Sequence, residues 1–264
     1  MMDAATAPLY LSRLILNQRS RQVRSEMAHP YEMHRTLMRA FPNLAEVTQS
    51  TAREKFAVLF RAEVGDVGGT VKVYLQSLAE PDWSFLEGPN DYLCANGEMP
   101  GVSCKNIMPA YQNLNDGQVL RFRLRANPTK RIAKHDDPMK GKRVELARED
   151  EQIDWLIRKG QQREKNVPGG FELVMKEVKN MRGEVRKIPR VNVCPEGKQT
   201  GHKSEEERGH VTTHLAVLFD GFLRVTDKRA FLETLIRGIG PGKAFGFGLL
   251  SVAPCRSPSS TGAL

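Results

Sequence analysis

Apolar and polar residues in the N-terminal half of the chain follow the patterns of short strands and one amphipathic helix. The helix is predicted to begin at Pro30 and end before Pro42, because Met33 and Leu37 lie one turn apart on one face and proline is favoured at the first helical position. The other predicted features of this half are a strand at Tyr10–Leu16, a basic loop at Asn17–Arg24, strands at Phe56–Arg61 and Val71–Gln76, a short helix at Asp82–Leu86 and irregular structure over 87–117.

The C-terminal half opens with a strict alternation. Between Val119 and Arg125 every second residue is arginine from Arg121 onward, which places arginines on one face of a strand and Phe122 and Leu124 on the other. The other predicted features are a helix at Glu149–Lys159, a strand at Phe171–Val178, a long mobile loop at 180–210, strands at His214–Phe219 and Phe222–Val225 joined by a turn or bulge at Asp220-Gly221, a helix capped by Asp227 with apolar Phe231, Leu232, Leu235 and Ile236, a last strand at Gly248–Val252 and a disordered tail at 256–264.

Each half therefore approximates the order strand, helix, strand, strand, helix, strand. This order predicts an α+β fold of two tandem ferredoxin-like domains, of the type found in RNA-recognition modules. We place the N-terminal domain at residues 1–115 and the C-terminal domain at 116–255.

The charge of the chain is unevenly distributed. The 264 residues contain 40 Lys and Arg against 31 Asp and Glu, a net charge of +9. Residues 41–118 carry 5 basic and 10 acidic side chains, whereas residues 119–145 carry 9 and 3. Such a local basic excess favours a phosphate backbone as partner, and a solvated surface is the alternative.

Composition also bears on compartment and cofactors. The sequence has no apolar run of the roughly 18 residues that a membrane span needs. It has no secretory signal peptide either, because Arg13 comes early and Arg19, Arg21 and Arg24 follow within a few residues, which leaves no basic-then-apolar pattern. We therefore expect a cytoplasmic protein with no membrane partner. The four cysteines have no zinc-site spacing, so neither a metal nor a cofactor is expected.

A glycine-rich segment runs from Gly238 to Gly248. It fits neither a dinucleotide fingerprint nor a Walker A loop, because glycines of both motifs are missing and the segment follows a helix rather than a strand. Its exposed amides beside Lys243 favour contact with phosphates, and we select Gly240, Gly242 and Lys243 for that role. Turn geometry alone is the alternative.

Several segments in order along the chain resemble one family. They are Leu9–Asn17, Pro30–Arg35, Leu120–Lys130, Glu151–Lys159 and Gly238–Pro254, and the most specific are Leu-Arg-Ala-Asn-Pro at 124–128 and Gly-Ile-Gly-Pro-Gly-Lys-Ala at 238–244. The chain resembles the CasE (Cse) family, the CRISPR repeat-processing endoribonucleases of type I-E systems. It departs from the family pattern before Leu9, in a longer 131–141 loop and in the 180–210 segment.

The resemblance implies metal-independent cleavage at the base of a repeat stem-loop RNA. It also implies that the mature guide RNA stays bound and that the protein is a subunit of the surveillance complex. In the family pattern His34 and Tyr31 are catalytic, and which of the two is the general base stays open. Cleavage by the 2′-OH of the RNA leaves a 2′,3′-cyclic phosphate and a 5′-OH, and histidine suits the proton transfer because its pKa lies near 6.5. The helical angle of His34 predicts a ring at the rim of the packing stripe.

Basic residues near these segments are the candidates for RNA binding, because A-form stems expose phosphates more readily than base edges. The candidates are Arg19, Arg21, Arg24, Arg35, Lys130, Arg131, Arg158 and Lys159, together with Gly240, Gly242 and Lys243. The alternative function is a non-catalytic RNA-binding or assembly subunit of the same fold, in which His34 is structural.

Overall fold

The computed structural model describes residues 7–42, 54–65, 70–87, 91–94, 101–132, 141–161, 168–180, 183–202 and 211–255. Within these ranges the protein is a mixed α+β structure with antiparallel sheets, as predicted. The expected tail at 256–264 lies outside the described residues. No helix in the described part of the chain is long and apolar enough to cross a bilayer.

The first sheet has the strand order β2-β3-β1-β4. Its elements are β1 (Tyr10–Leu16), α1 (Arg21–Ala28), α2 (Pro30–Met38), β2 (Leu59–Val64), β3 (Val71–Ser77), a 3₁₀ turn (Ser84–Leu86), β4 (Val102–Asn106) and α3 (Met108–Gln112). Met33 and Leu37 of α2 are buried in the core of this sheet, which confirms the predicted helix and its packing stripe.

Three expectations for this half are wrong in detail. The second half of the predicted basic loop is helix, because Val23 packs into the core while Arg21 and Arg24 stay exposed on the outer face of α1. The segment 87–117 contains β4 and α3, since an edge strand such as β4 needs few buried residues to pair with β1. Strand β2 begins later than expected, after Ala57 takes a positive φ of 47°.

The second sheet has the order β11-β12-β5-β13, with β8 also paired to β12. Its strands are β5 (Val119–Ala126), β8 (Phe171–Leu173), β11 (Val191–His202), β12 (Val211–Val225) and β13 (Leu250–Pro254). Two ribbons, β6 (Thr129–Arg131) with β7 (Arg143–Glu145) and β9 (Met175–Lys179) with β10 (Val185–Pro189), accompany it. The helices are α4 (Glu149–Gly160) and α5 (Lys228–Arg237), and a 3₁₀ turn follows at Lys243–Phe245. Asp227 caps α5 as predicted, by accepting a hydrogen bond from the Ala230 amide at 2.9 Å.

The region expected as a mobile loop at 180–210 instead supplies β10 and β11, and its residues 203–210 lie outside the described ranges. Its charged residues occupy an edge strand and an exposed ribbon, so their polarity does not prevent pairing. The expected turn or bulge at Asp220-Gly221 is also wrong, because β12 is continuous there and keeps its register with β5 through both residues. Glycine is needed at 221 for close packing: an added Cβ would lie 2.4 Å from the Arg190 carbonyl oxygen. The strand predicted at Phe171–Val178 is divided between β8 and β9.

The two sheets are joined by a buried arginine. Arg61 of β2 is 3% exposed and donates to the Leu249 carbonyl at 3.0 Å and to the Ser251 hydroxyl at 3.1 Å. Glu63 accepts from its Nε at 2.7 Å and also pairs with Arg123 of β5. Because backbone carbonyls and a carboxylate satisfy this buried cation, the two halves are held in a defined orientation.

Candidate functional site

Helix α2 brings Tyr31 and His34 together, as predicted from their spacing. Their ring centroids lie 6.0 Å apart. The prediction that the His34 ring reaches the rim is wrong, because His34 is 2% exposed. Its ring stacks on Phe60 of β2, with centroids 6.1 Å apart and planes 9° from parallel. The imidazole is therefore almost entirely shielded from solvent in this structure.

A buried carboxylate fixes α2 against α1. Glu26 is 4% exposed and accepts hydrogen bonds from the Thr36 hydroxyl at 2.6 Å, the Tyr92 hydroxyl at 2.5 Å and the Gln22 amide at 2.8 Å. Burial, reinforced by the Glu26 charge, raises the pKa of the Tyr92 phenol far above its ordinary value. Tyr92 therefore remains a hydrogen-bond donor to Glu26 at neutral pH. Helix α2, which carries His34, is thereby held in one position against α1.

The glycine-rich segment begins with a turn that only glycine can make. Gly238 has φ 71° and ψ 166°, a region of backbone conformation essentially restricted to glycine. A Cβ at this position would lie 2.7 Å from both the Gly248 carbonyl oxygen and the Leu59 side chain. Turn geometry therefore accounts for this glycine.

We expect Gly238→Ala to lower the free energy of unfolding by about 2–4 kcal/mol, because it combines an unfavourable φ with backbone overlap. Chemical denaturation measures the loss. The control is Gly183→Ala, which also has a positive φ, 79°, but no atom within 4 Å of an added Cβ. A Gly238 variant no less stable than this control would contradict the packing argument.

The middle of the segment reaches from the second half of the chain to α2. Gly242 and Gly246, both with φ 77°, flank the 3₁₀ turn that carries Lys243 and Phe245. Phe245 is 6% exposed, and its ring centroid lies 5.9 Å from that of Tyr31. Two residues earlier, Lys243 lines a cleft. One short turn therefore contacts both the cleft and the α2 site.

The cleft has a volume of about 770 Å³ and is strongly basic. Its lining residues are Thr129, Arg131, Arg143, Trp155, Lys159, Pro168, Thr234, Arg237, Gly238, Ile239, Gly240, Pro241 and Lys243. Five of them are cationic and none of these described lining residues is acidic. The structure thus brings together four of the residues selected from the sequence, namely Arg131, Lys159, Gly240 and Lys243.

Sequence reasoning missed two cations of this cleft. Arg143 lies directly opposite Arg131 in the β6–β7 ribbon, a pairing hidden because no hairpin was predicted there. Arg237 ends α5 immediately before Gly238. Its position next to the glycine-rich segment is the sequence signal that could have identified it.

The other selected cations lie outside the lining of this cleft. Arg35 is exposed and pairs with Glu32 at 3.2 Å, and Lys130 pairs with Glu151 at 2.9 Å. Exposed positions on and near α1 and on α4 hold the remaining ones, which are Arg19, Arg21, Arg24 and Arg158. Their contacts with RNA stay predictions.

A histidine that the sequence analysis did not select also lies near the site. His214 of β12 is half-buried, and its ring centroid is 4.5 Å from that of Phe245. Burial lowers the pKa of His214, and the nearby Glu145 charge opposes this effect. The amphipathic pattern of β12 offers no reason to single out this residue, because its partners come from distant segments.

Known proteins resemble the chain over nearly its whole length. A family model described as CRISPR associated protein matches residues 9–254. The CRISPR-associated endoribonuclease Cse3 of Thermus thermophilus is 40% identical over 248 residues, which cover 93% of this chain and 100% of Cse3. The Cascade subunit CasE of Escherichia coli is 27% identical, with 93% of this chain and 100% of CasE covered.

A solved structure agrees with these sequence matches. It is Thermus thermophilus Cse3 bound to an RNA representing a pre-cleavage complex, with a TM-score of 0.67 and 37% identity. The similarity covers 94% of this chain and 100% of that one. The chain therefore belongs to the family of CRISPR-associated proteins that includes Cse3 and CasE.

Proposed function

We propose that the protein is an endoribonuclease that cleaves CRISPR precursor RNA at the base of the repeat stem-loop without a metal ion. The observation that carries this proposal is the turn at Lys243–Phe245, which links the cationic cleft to the Tyr31 and His34 pair. One short turn therefore contributes a cation to the cleft and an aromatic ring to the site of the groups that can move a proton. The relatives named as an endoribonuclease and as a Cascade subunit support the same function.

The proposed reaction uses a nucleophile within the RNA. The 2′-oxygen attacks the adjacent phosphorus as its proton passes to a base, and the bond to the 5′-oxygen breaks as that oxygen takes up a proton. The products are a 2′,3′-cyclic phosphate and a 5′-OH. His34 transfers a proton in this scheme, and Tyr31 orients the 2′-OH or the phosphate through its phenol hydroxyl. Neutral imidazole can accept a proton and imidazolium can donate one. His34 therefore suits either role, the base that takes the proton of the 2′-OH or the acid that gives a proton to the 5′-oxygen.

The cleft supplies the positive charge that binding and the transition state require. Arg131, Lys159 and Lys243 approach it from three different elements, so a phosphate in the cleft meets cations on several sides. Cations held close to developing negative charge stabilise it in the transition state. Trp155 forms part of the wall, and the Lys159 ammonium lies 5.9 Å from its ring centroid, which limits the conformations of that lysine.

The proposal also includes the domain arrangement and the partners of the protein. The shared strand order of the two sheets supports two tandem ferredoxin-like domains, with the boundary near residues 115 and 116. Because a relative is named as a Cascade subunit, we also infer that the protein retains the cleaved RNA and assembles with other subunits of a type I-E surveillance complex.

Incubation with the host's repeat RNA in excess EDTA tests the proposal. We expect one cut at the base of the stem, an upstream product with a 2′,3′-cyclic phosphate and a downstream product with a 5′-OH. Mapping both ends identifies these groups. Tight binding without cleavage would favour the non-catalytic assembly subunit instead, and cleavage that EDTA abolishes would contradict the metal-independent mechanism.

A further inference from the structure

The contacts of His214 extend from the second sheet to the catalytic helix. His214 lies at a point where β12 faces the end of β5, and its Nδ1 is 2.8 Å from the Nδ2 of Asn127. Asn127 is 1% exposed, so this hydrogen bond is shielded from solvent on that side. With the amide nitrogen as donor, Nδ1 accepts and the imidazole is neutral. The ring is therefore held in one orientation by the Asn-Pro motif.

The oriented ring packs against the aromatic side chains of the glycine-rich segment. It meets Phe245 edge-on, with centroids 4.5 Å apart and planes at 66°, and Phe247 at 6.2 Å and 82°. Edge-to-face geometry of this kind is favourable and directional. Phe245 in turn packs on Tyr31, which lies 6.0 Å from His34. His214 and Phe245 thus connect β12 to the pair formed by Tyr31 and His34.

Phe245 needs such support because its backbone is flanked by glycines. Gly242 and Gly246 are both left-handed, and glycine restricts the chain less than other residues do. A hydrogen bond from the Phe245 amide to the Gly242 carbonyl at 2.9 Å closes the turn, and side-chain contacts hold the ring of Phe245. Apolar packing there involves Ala216 and Phe247, together with Ala244 and Tyr31.

We propose that His214 is a positioning residue for RNA cleavage, which places Phe245 against Tyr31 and thereby orients the catalytic pair. His214 acts through Phe245 rather than on the reacting atoms. The proposal deepens the function proposed above and rests on it. It also assigns a role to Asn127 in the Leu-Arg-Ala-Asn-Pro motif, namely to orient the His214 ring.

Single-turnover cleavage and RNA binding measured on the full chain test this role. We expect His214→Ala to lower the cleavage rate constant at saturating protein by about 10- to 100-fold, because small misplacements of catalytic groups carry costs of this size. The dissociation constant for repeat RNA should stay within about twofold. His214→Phe retains a ring edge against Phe245 but loses the hydrogen bond from Asn127, so it should recover only part of the rate.

The Tyr31→Phe background gives a second, independent readout. If His214 acts through Tyr31, His214→Ala costs less in this background than in the wild type, so the effects of the two substitutions are not additive. Phe231→Leu is the control for stability, because Phe231 is buried in the second core against Phe171 and lies outside this set of rings. It should lower thermal stability while leaving the cleavage rate at saturating protein unchanged.

Several outcomes would overturn the positioning role: cleavage by His214→Ala at the wild-type rate, a rate loss matched by an equal loss of RNA affinity, or full additivity with Tyr31→Phe. A wild-type protein that does not cleave repeat RNA would instead overturn the proposed function. Parallel assays of the wild type and of His34→Ala therefore separate the two failures.

Discussion

Replacing His34 by alanine is expected to lower the rate constant for RNA cleavage by about 10²- to 10⁴-fold and to leave binding of the repeat RNA nearly unchanged. The rate falls because the imidazole that moves a proton is gone. Binding persists because the cations of the cleft belong to other elements. Single-turnover kinetics with excess protein and filter binding measure the two quantities separately.

The burial of His34 makes a second substitution necessary. Alanine removes a ring that stacks on Phe60, so part of any loss of activity could come from α2 itself. His34→Gln keeps a polar side chain of similar length in the same place and should be as inactive as alanine, with a smaller change in stability. His29→Ala is the matched control, because that histidine is exposed at the start of the same helix. Undiminished cleavage by His34→Gln would rule out proton transfer by this residue.

Removal of three cations from the cleft should have the largest effect on RNA affinity. For the triple variant Arg131→Ala, Lys159→Ala and Arg237→Ala we expect affinity for repeat RNA to fall by about 10³-fold at low salt, because each charge-assisted contact contributes about 1.5 kcal/mol. The slope of the logarithm of affinity against the logarithm of salt concentration should shrink by about 2 to 3, since fewer counterions are released. Binding titrations over a range of salt concentrations measure both effects.

A second triple variant separates local from overall charge. Lys105→Ala, Arg224→Ala and Arg229→Ala remove the same net charge at exposed positions outside the lining of the cleft. We expect a much smaller loss of affinity from this variant. Equal losses from the two triple variants would mean that RNA responds to the net charge of the protein rather than to the cleft.

Features that depend on nearby residues were predictable from the sequence. The start of α2 at Pro30 and the stripe that includes Met33 and Leu37 are set by local conformational preference and helical spacing, and both are confirmed. The Asp227 cap of α5 is equally local, because the side chain bonds an amide three residues away. The Tyr31 and His34 pair belongs to this class too, since one helical turn brings the two rings together.

Features that depend on distant residues were not predictable in this way. Glycine is common in turns, but Gly221 lies inside a continuous strand because the Arg190 backbone approaches it closely. The burial of His34 comes from Phe60 on another strand. His214 acquires its place from Asn127 and Phe245, which flank it at long sequence distances. Hydrophobic periodicity carries information about none of these contacts.

The position of the turn at Lys243–Phe245 in the sequence also determines when the parts of the candidate site are synthesised. Phe245 follows His34 by 211 residues, so a ribosome adds it long after α2 is complete. At about 5–20 residues per second, this interval is on the order of 10–40 s. A nascent chain therefore carries Tyr31 and His34 before it carries the cationic cleft or the aromatic contact on Tyr31. Under the proposed function, the assembled site exists only in molecules whose synthesis has passed Phe245.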